Sequence, residues 1–400
     1  MNTLFVGLDV SKDSFVATVK DERNNLVMPP RSYHHDRPGM DALNRDIEAL
    51  KEALKCAAMF GMEATGIYHL SVYQYLLDKK EFVKVFNALE LKRLKGRIRK
   101  TKTDKLDAEV IAEALILVSE PSYHPIQELT LIRIRELYRL RSRLVKKSTK
   151  CKNQASRDMD ILCRGYTGHF GDIFCPSSKA VMKAVIRKTR LFETDEKTLT
   201  EILKKFMSRT AAENKARRLC TLFQSRVVPE SMQEICVFEL HMLIQQYDLL
   251  KQQIARTERQ LEKEVKKTNT HLLTIPGLGV LTAGAILGEL GDLTRFTSLD
   301  QLTAFAGLDT VVTQSGNSRR TGHISKRGSP VLREALYHAA LSAVRANPVC
   351  RQFYQRLRAK DKHFSVCLVA VSRKILHIAY SVEKNDRDFY VPSYITQIQA

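Results

Sequence analysis

Over the first 120 residues, short β-rich runs alternate with helical periods. Leu4–Val10 and Phe15–Val19, joined by the polar turn Ser11-Lys12-Asp13, predict a β-hairpin. A helix over Met40–Leu54 is predicted next, followed by the apolar run Cys56–Glu63. A second helix near Ile67–Leu77, the strand Phe82–Phe86 and a helix over Asp104–Leu117 complete the zone. Strands paired first by a hairpin and then alternating with helices imply a mixed α/β layer, not a purely doubly wound sheet. Downstream, the pattern becomes helical. Leu129–Leu144 is amphipathic, and residues 166–268 read as charged helices. Within them, Leu240, Tyr247, Ile254 and Leu261 occupy one heptad position and Cys236, Leu243, Leu250 and Thr257 the other. That spacing suits a coiled-coil seam between subunits or an amphipathic helix packed on its own domain. The last zone opens on the Gly-rich run Leu272–Gly288 and ends in helical patterns such as Phe364–Val382.

Composition adds the nature of the partner. The 400 residues carry 65 Lys+Arg against 44 Asp+Glu, a formal charge of +21, which points to a polyanion and above all to nucleic acid. With 44% hydrophobic and 27% charged residues, a disordered or collagenous chain is excluded. The opening MNTLFVGLDV lacks the basic stretch of a signal peptide and meets Asp9 at once. Leu272–Gly288 holds Pro276 and is too short for a membrane span. Eight scattered cysteines form no CxxC, which fits reduced thiols in a cytoplasmic protein without a zinc site.

Three constellations carry candidate chemistry. Asp9 interrupts an apolar strand, where an uncompensated carboxylate is disfavoured. Glu63 ends another apolar run just before Ala64-Thr65-Gly66, and Asp104 and Asp107 are neighbours on one helix face. Singly, each fits a turn or a helix start, where acids complement the dipole. Together, beside Lys92, Arg93, Lys95, Arg97, Arg99, Lys100, Lys102 and Lys105, they suit a pair of Mg²⁺ ions acting on phosphodiesters. The second constellation is Ile275-Pro276-Gly277-Leu278-Gly279, like the turn of a helix-hairpin-helix element, in which Gly277 and Gly279 would admit a phosphate at a helix N-terminus. Close packing between helices produces the same glycines. The third is Thr310–Arg333, free of acids and bearing Arg319, Arg320, Lys326, Arg327 and Arg333. It reads as a phosphate-binding loop. A serine among these cations is also suited to attack a phosphodiester, and physics alone does not choose among Ser315, Ser318 and Ser325.

In their order along the chain these motifs carry a resemblance. Gly7-Leu8-Asp9-Val10-Ser11-Lys12, Glu63-Ala64-Thr65-Gly66 and Lys102-Thr103-Asp104-Lys105-Leu106-Asp107-Ala108 resemble the DEDD domain of the insertion-sequence transposases of the IS110/IS1111 family. Ile275–Gly279, Ala306-Gly307-Leu308, Gln314-Ser315-Gly316 and Ser325-Lys326-Arg327-Gly328 are similar to that family's C-terminal transposase domain. One departure is Asp309-Thr310, where the family often has a short residue and proline. The resemblance implies a RuvC-like, RNase-H-type catalytic domain over 1–165, a helical coiled-coil region over 166–268 and a C-terminal transposase domain over 269–400. It also implies that Asp9, Glu63, Asp104 and Asp107 bind Mg²⁺ and that Ser315 is the nucleophile forming a covalent link to DNA. Further, it implies a homo-oligomer (dimer or tetramer) in which acids and serine meet across subunits. The expected partners are donor and target DNA with a structured guide, the bridge RNA. Two other classes stay open from the residues: a junction nuclease using the four acids without a covalent serine, and a non-catalytic nucleic-acid-binding protein.

Overall fold

A computed structural model describes residues 3–63, 68–86, 91, 104–117, 125–186, 191–228, 230–291, 293, 296–315 and 318–391; side chains of 104–106, 125–128 and 311–322 lie outside that description. The chain forms two compact units, Met1–Gln127 and Glu128–Ala400.

The first unit is built on five strands: β1 (Thr3–Val10), β2 (Ser14–Lys20), β3 (Leu26–His34), β4 (Ala57–Glu63) and β5 (Phe82–Phe86). Their order is β3-β2-β1-β4-β5. The first three pair antiparallel as a meander, and β4 and β5 add in parallel beyond β1. The expected mixed layer is therefore present, with β3 as a strand that the sequence reading did not resolve. Alternation along β1 sends Leu4, Val6, Leu8 and Val10 into a buried layer and puts Phe5, Gly7 and Asp9 on the other face. Helices Arg37–Leu54 and His69–Asp78 contact the same sheet. The first is capped by Asp36, which accepts from the Gly39 N–H, and stops where Lys55 turns left-handed.

On the Gly7 face lies the helix Asp104–Leu117. A Cβ on Gly7 would stand 2.1 Å from the Ala108 carbonyl oxygen, and one on Gly61 would stand 2.8 Å from Leu115 Cδ1. Two strand glycines thus let this helix press its Ala108/Ala112 row onto β1 and its Ile111/Leu115 row onto β4.

The second unit is helical. Its spine is a pair of long helices, Pro125–Leu162 and Glu230–Lys266. They run antiparallel: Arg141 Nε meets Glu258 Oε1 at 2.6 Å, and Cys151 Sγ meets the Leu243 carbonyl at 3.3 Å. Both heptad rows, Cys236 through Leu261, are buried within the chain. The seam read as a possible subunit contact is therefore an internal one, closed by the helix Pro125–Leu162, with Leu243, Tyr247 and Leu250 in one core with Leu144, Ala155 and Met159. Helices Pro176–Val185, Glu196–Leu203 and Arg209–Gln224 complete that core. A second core gathers Val280–Leu290, Leu299–Ala306, Pro330–Ala346 and Phe364–Lys384 around the other ends of the long pair. Among the described residues Phe364–Lys384 is the one helix long and apolar enough to cross a membrane; half of it is buried, with Leu368, Val371 and Ile375 inside this core.

The segment 310–324, expected as a loop, is an antiparallel hairpin of β6 (Thr310–Ser315) and β7 (Ser318–Ile324), with Ser315 facing Ser318 at its far end.

Candidate active site and nucleic-acid surface

Register brings two of the four acids together. β1 and β4 pair in parallel with Phe5 beside Met59, Gly7 beside Gly61 and Leu8 beside Met62. The next step places Asp9 beside Glu63, both on the face that carries Gly7 and Gly61. The helix Asp104–Leu117 fixes the other two. Lys20, whose strand partner is Phe5, pairs through Nζ with Glu113 Oε1 at 2.5 Å, so the helix's later turns lie toward the start of β1. Its first turn therefore points to the carboxyl ends of β1 and β4. Asp104 begins the row that continues through Ala108 and Ala112 over β1, and Asp107 begins the row that continues through Ile111 and Leu115 over β4. Asp107 is thus directed toward the Glu63 end, and the backbone of Asp104 lies in the same first turn.

Asp9, Glu63 and Asp107 are half-buried, and each already has a polar or charged partner in the fold. The Asp104 side chain and the cations Lys92, Arg93, Arg97, Arg99 and Lys102 lie outside the described residues. Among the described residues no three His, Cys, Asp or Glu side chains converge closely enough to hold a metal ion. The donors are nevertheless of the right kind: carboxylate oxygens, hard ligands for Mg²⁺, on two adjacent strand ends facing a helix N-terminus.

In the second unit the two glycines separate in role. Gly277 has φ +92° and its absent Cβ would stand 2.6 Å from Ala343 Cα, so packing against the helix Pro330–Ala346 demands it. Nothing lies within 4 Å of the corresponding position at Gly279, which opens the helix Val280–Leu290. Of the pair, Gly279 leaves room for a phosphate.

The hairpin of β6 and β7 is clasped at its base. Ser325 donates its backbone N–H to the Asp309 carbonyl at 2.8 Å and its hydroxyl to the Asp309 carboxylate. Arg333 Nη1 donates to the Gly328 carbonyl at 2.6 Å, and Arg373 donates to the Leu308 carbonyl. Burial holds the Arg333 guanidinium below its ordinary pKa. Lys326 and Arg327 are exposed beside this clasp; the side chains of Ser315, Arg319 and Arg320 lie outside the described residues. Of the three candidate serines, Ser325 is engaged at the base, whereas Ser315 and Ser318 occupy the far end. Asp309, Arg333 and Arg373 were not expected as positioning groups. The signal for Asp309 was its place as an acid immediately before an acid-free basic segment.

Carboxylates at a sheet end and a hairpin in a segment rich in Lys and Arg are the residue types that phosphodiester chemistry uses. The sequence matches two families in that order: DEDD_Tnp_IS110, described as a transposase, over residues 6–163, and the Transposase IS116/IS110/IS902 family over residues 269–355. A probable family 20 transposase of Pseudomonas aeruginosa is 27% identical over 349 residues, covering 86% of this chain and 85% of its own. The transposase for insertion sequence element IS1328 of Yersinia enterocolitica is 25% identical over 398 residues, covering 95% and 97%. The pilin gene-inverting protein of Moraxella bovis is 34% identical over 120 residues, 30% of this chain and 37% of its own. The chain belongs to the IS110/IS116 family of insertion-sequence transposases. Membership places it among the proteins of DNA transposition and recombination and implies use of a divalent metal.

Proposed function

We propose that this protein cuts and rejoins DNA to move an insertion sequence. In this reading, residues 1–165 form a RuvC-like catalytic domain, 166–268 a helical spacer and 269–400 the domain that carries the nucleophile. The observation that carries the reading is the register placing Asp9 beside Glu63, with the helix bearing Asp104 and Asp107 aimed at the same sheet end. The sheet order β3-β2-β1-β4-β5 supports the RNase-H-type assignment. Asp9, Glu63, Asp104 and Asp107 would hold Mg²⁺, which when bound neutralises charge on the scissile phosphate.

Ser315 stands at the end of the hairpin, in register with Ser318 and next to the Gln314–Arg319 pair. Its Oγ attacks phosphorus, forming an O–P bond while a P–O bond of the strand breaks. The Oγ proton passes to water, and the departing oxygen of the strand takes up a proton. Because a phosphodiester is retained, attack by another strand's hydroxyl reverses the step and rejoins DNA. Arg319 and Arg320 stabilise the phosphoryl oxygens. Lys92, Arg93, Arg97, Arg99, Lys102, Lys326, Arg327 and the backbone at Gly279 contact phosphates. A structured bridge RNA pairs with donor and target DNA, and the working form is a cytoplasmic homo-oligomer.

Denatured reaction mixtures test the proposal. DNA attached covalently to protein is expected, with the adduct lost in Ser315→Ala and diminished when Arg319 or Arg320 is neutralised. Ser318→Ala and Ser325→Ala should retain it. An adduct that persists in Ser315→Ala refutes the serine assignment, and an active preparation without any adduct leaves a junction nuclease that uses only the acids.

A further inference from the structure

The long helix Pro125–Leu162 carries ten Lys/Arg between residues 133 and 157 but no acid after Glu136 in that stretch. Apart from the exposed Arg133 and from Arg135, which meets Glu136 at 3.5 Å, the fold divides these cations into two sets. Arg139 is spent on Glu289 at 2.7 Å, Arg141 on Glu258 at 2.6 Å, Lys152 on Asp172 and Arg157 on Asp158 at 3.2 Å. Arg143, Lys146, Lys147 and Lys150 are exposed and have no carboxylate partner among the described residues. At about 100° per residue they fall within one arc of roughly 100°, whose centre lies about 120° around the helix from the buried row of Leu144, Ser148 and Cys151. Along the axis they span about 10 Å, a length over which duplex DNA carries about six phosphate charges.

We infer that Arg143, Lys146, Lys147 and Lys150 form a track for the phosphate backbone of duplex DNA, separate from the acids, the Gly279 turn and the serine hairpin. A rigid helix holds four like charges in line at a standing cost in mutual repulsion, which a polyanion relieves. The stripe offers no stacking platform: the one aromatic residue between 133 and 157 is Tyr138, and it is buried. Single strands are gripped by exposed aromatics as well as cations, so the chemistry favours a duplex backbone over unpaired bases. DNA is the duplex on which this family acts, and the track would hold it without reading its sequence.

The test is equilibrium binding of a non-specific DNA duplex to the full chain in EDTA, across a salt series. The quadruple variant Arg143→Gln, Lys146→Gln, Lys147→Gln, Lys150→Gln should make the slope of log K against log salt shallower by about 3 to 4, at about 0.9 per phosphate. A control with equal charge loss, Lys197→Gln, Lys205→Gln, Lys360→Gln, Lys362→Gln, removes exposed lysines elsewhere and should change the slope by less than about 1. Exchanging the four track residues for the other cation (Arg143→Lys and the three Lys→Arg) should restore the wild-type slope. An unchanged slope in the first variant, or an equal change in the control, overturns the track. A loss confined to duplex RNA overturns its assignment to DNA.

Discussion

At the residue scale, the clearest departure from ordinary protein chemistry outside the candidate site is Asp158. Its side chain is fully buried between the long helices, with one carboxylate oxygen facing Arg157 and the other unpartnered. Burial first, and Glu239 beside it second, push this carboxyl above its usual range. The folded chain therefore holds the proton more tightly than the unfolded chain does. Stability falls as pH rises from the unfolded-state value of about 3.9 through the raised folded value, and stays reduced above it. Asp158→Asn removes the titration and keeps an oxygen for Arg157. At pH 8 the variant's helical unit should be more stable by about 1 kcal/mol, the scale of one unsatisfied buried polar group. At pH 4 the two proteins should melt together. A wild-type advantage at pH 8 in thermal melts contradicts the assignment. The same scale shows what a sequence discloses about single side chains. Asp9 was legible because a carboxylate inside an apolar strand violates the pattern around it. Asp309 looked like a neutral departure, because its partner Ser325 is sixteen residues away and meets it only once the hairpin closes.

Elements were legible where they repeat and illegible where they meet. The helix Asp104–Leu117 and strands β1, β2, β4 and β5 follow directly from their periods, as does the heptad pattern of Glu230–Lys266. What covers a heptad face is not written in its period, since a second subunit and an antiparallel helix of the same chain present equally apolar partners. Here the cover is internal, so Leu243→Asp with Leu250→Asp should unfold the helical unit, at a cost of about 3 kcal/mol or more per site, instead of merely separating subunits. Loss of helical signal by circular dichroism checks this; a folded monomer of reduced mass would point back to an intermolecular seam. Gly7 makes the complementary case in the first unit. Gly7→Ala drives a methyl group into the backbone of Ala108 and Ala112, neither of which can swing aside as a side chain would. Lifting the helix should cost about 3 kcal/mol and displace Asp104 and Asp107 from the ends of β1 and β4. DNA cleavage should then fall in parallel with the melting temperature of residues 1–127. Full cleavage by a correctly folded Gly7→Ala protein would remove the helix acids from the site.

At the scale of the whole molecule, the proposed chemistry is split: Asp9 and its companions belong to one compact unit and Ser315 to the other. The resemblance to the family implies that acids and serine meet across subunits, and that arrangement has an arithmetic consequence. An Asp9→Asn subunit keeps its serine but lacks working acids, whereas a Ser315→Ala subunit keeps its acids but lacks the nucleophile. If each site draws its acids from one protomer and its serine from the partner, a mixed dimer contains one intact site and one doubly defective site. If each site is built within one protomer, the mixed dimer contains none. Co-expressing the two variants in equal amounts gives mixed dimers in about half the population, so about a quarter of the wild-type sites should be restored in trans. The covalent protein–DNA adduct is the readout, because it reports a site and does not require both ends of a reaction to be completed. Each variant alone should form none. When the mixture is resolved by tagging one variant, the DNA should be attached only to the Asp9→Asn chain, the sole supplier of serine. An adduct near a quarter of the wild-type level on that chain establishes the shared site, whereas a mixture as inactive as its components places acids and serine within one protomer.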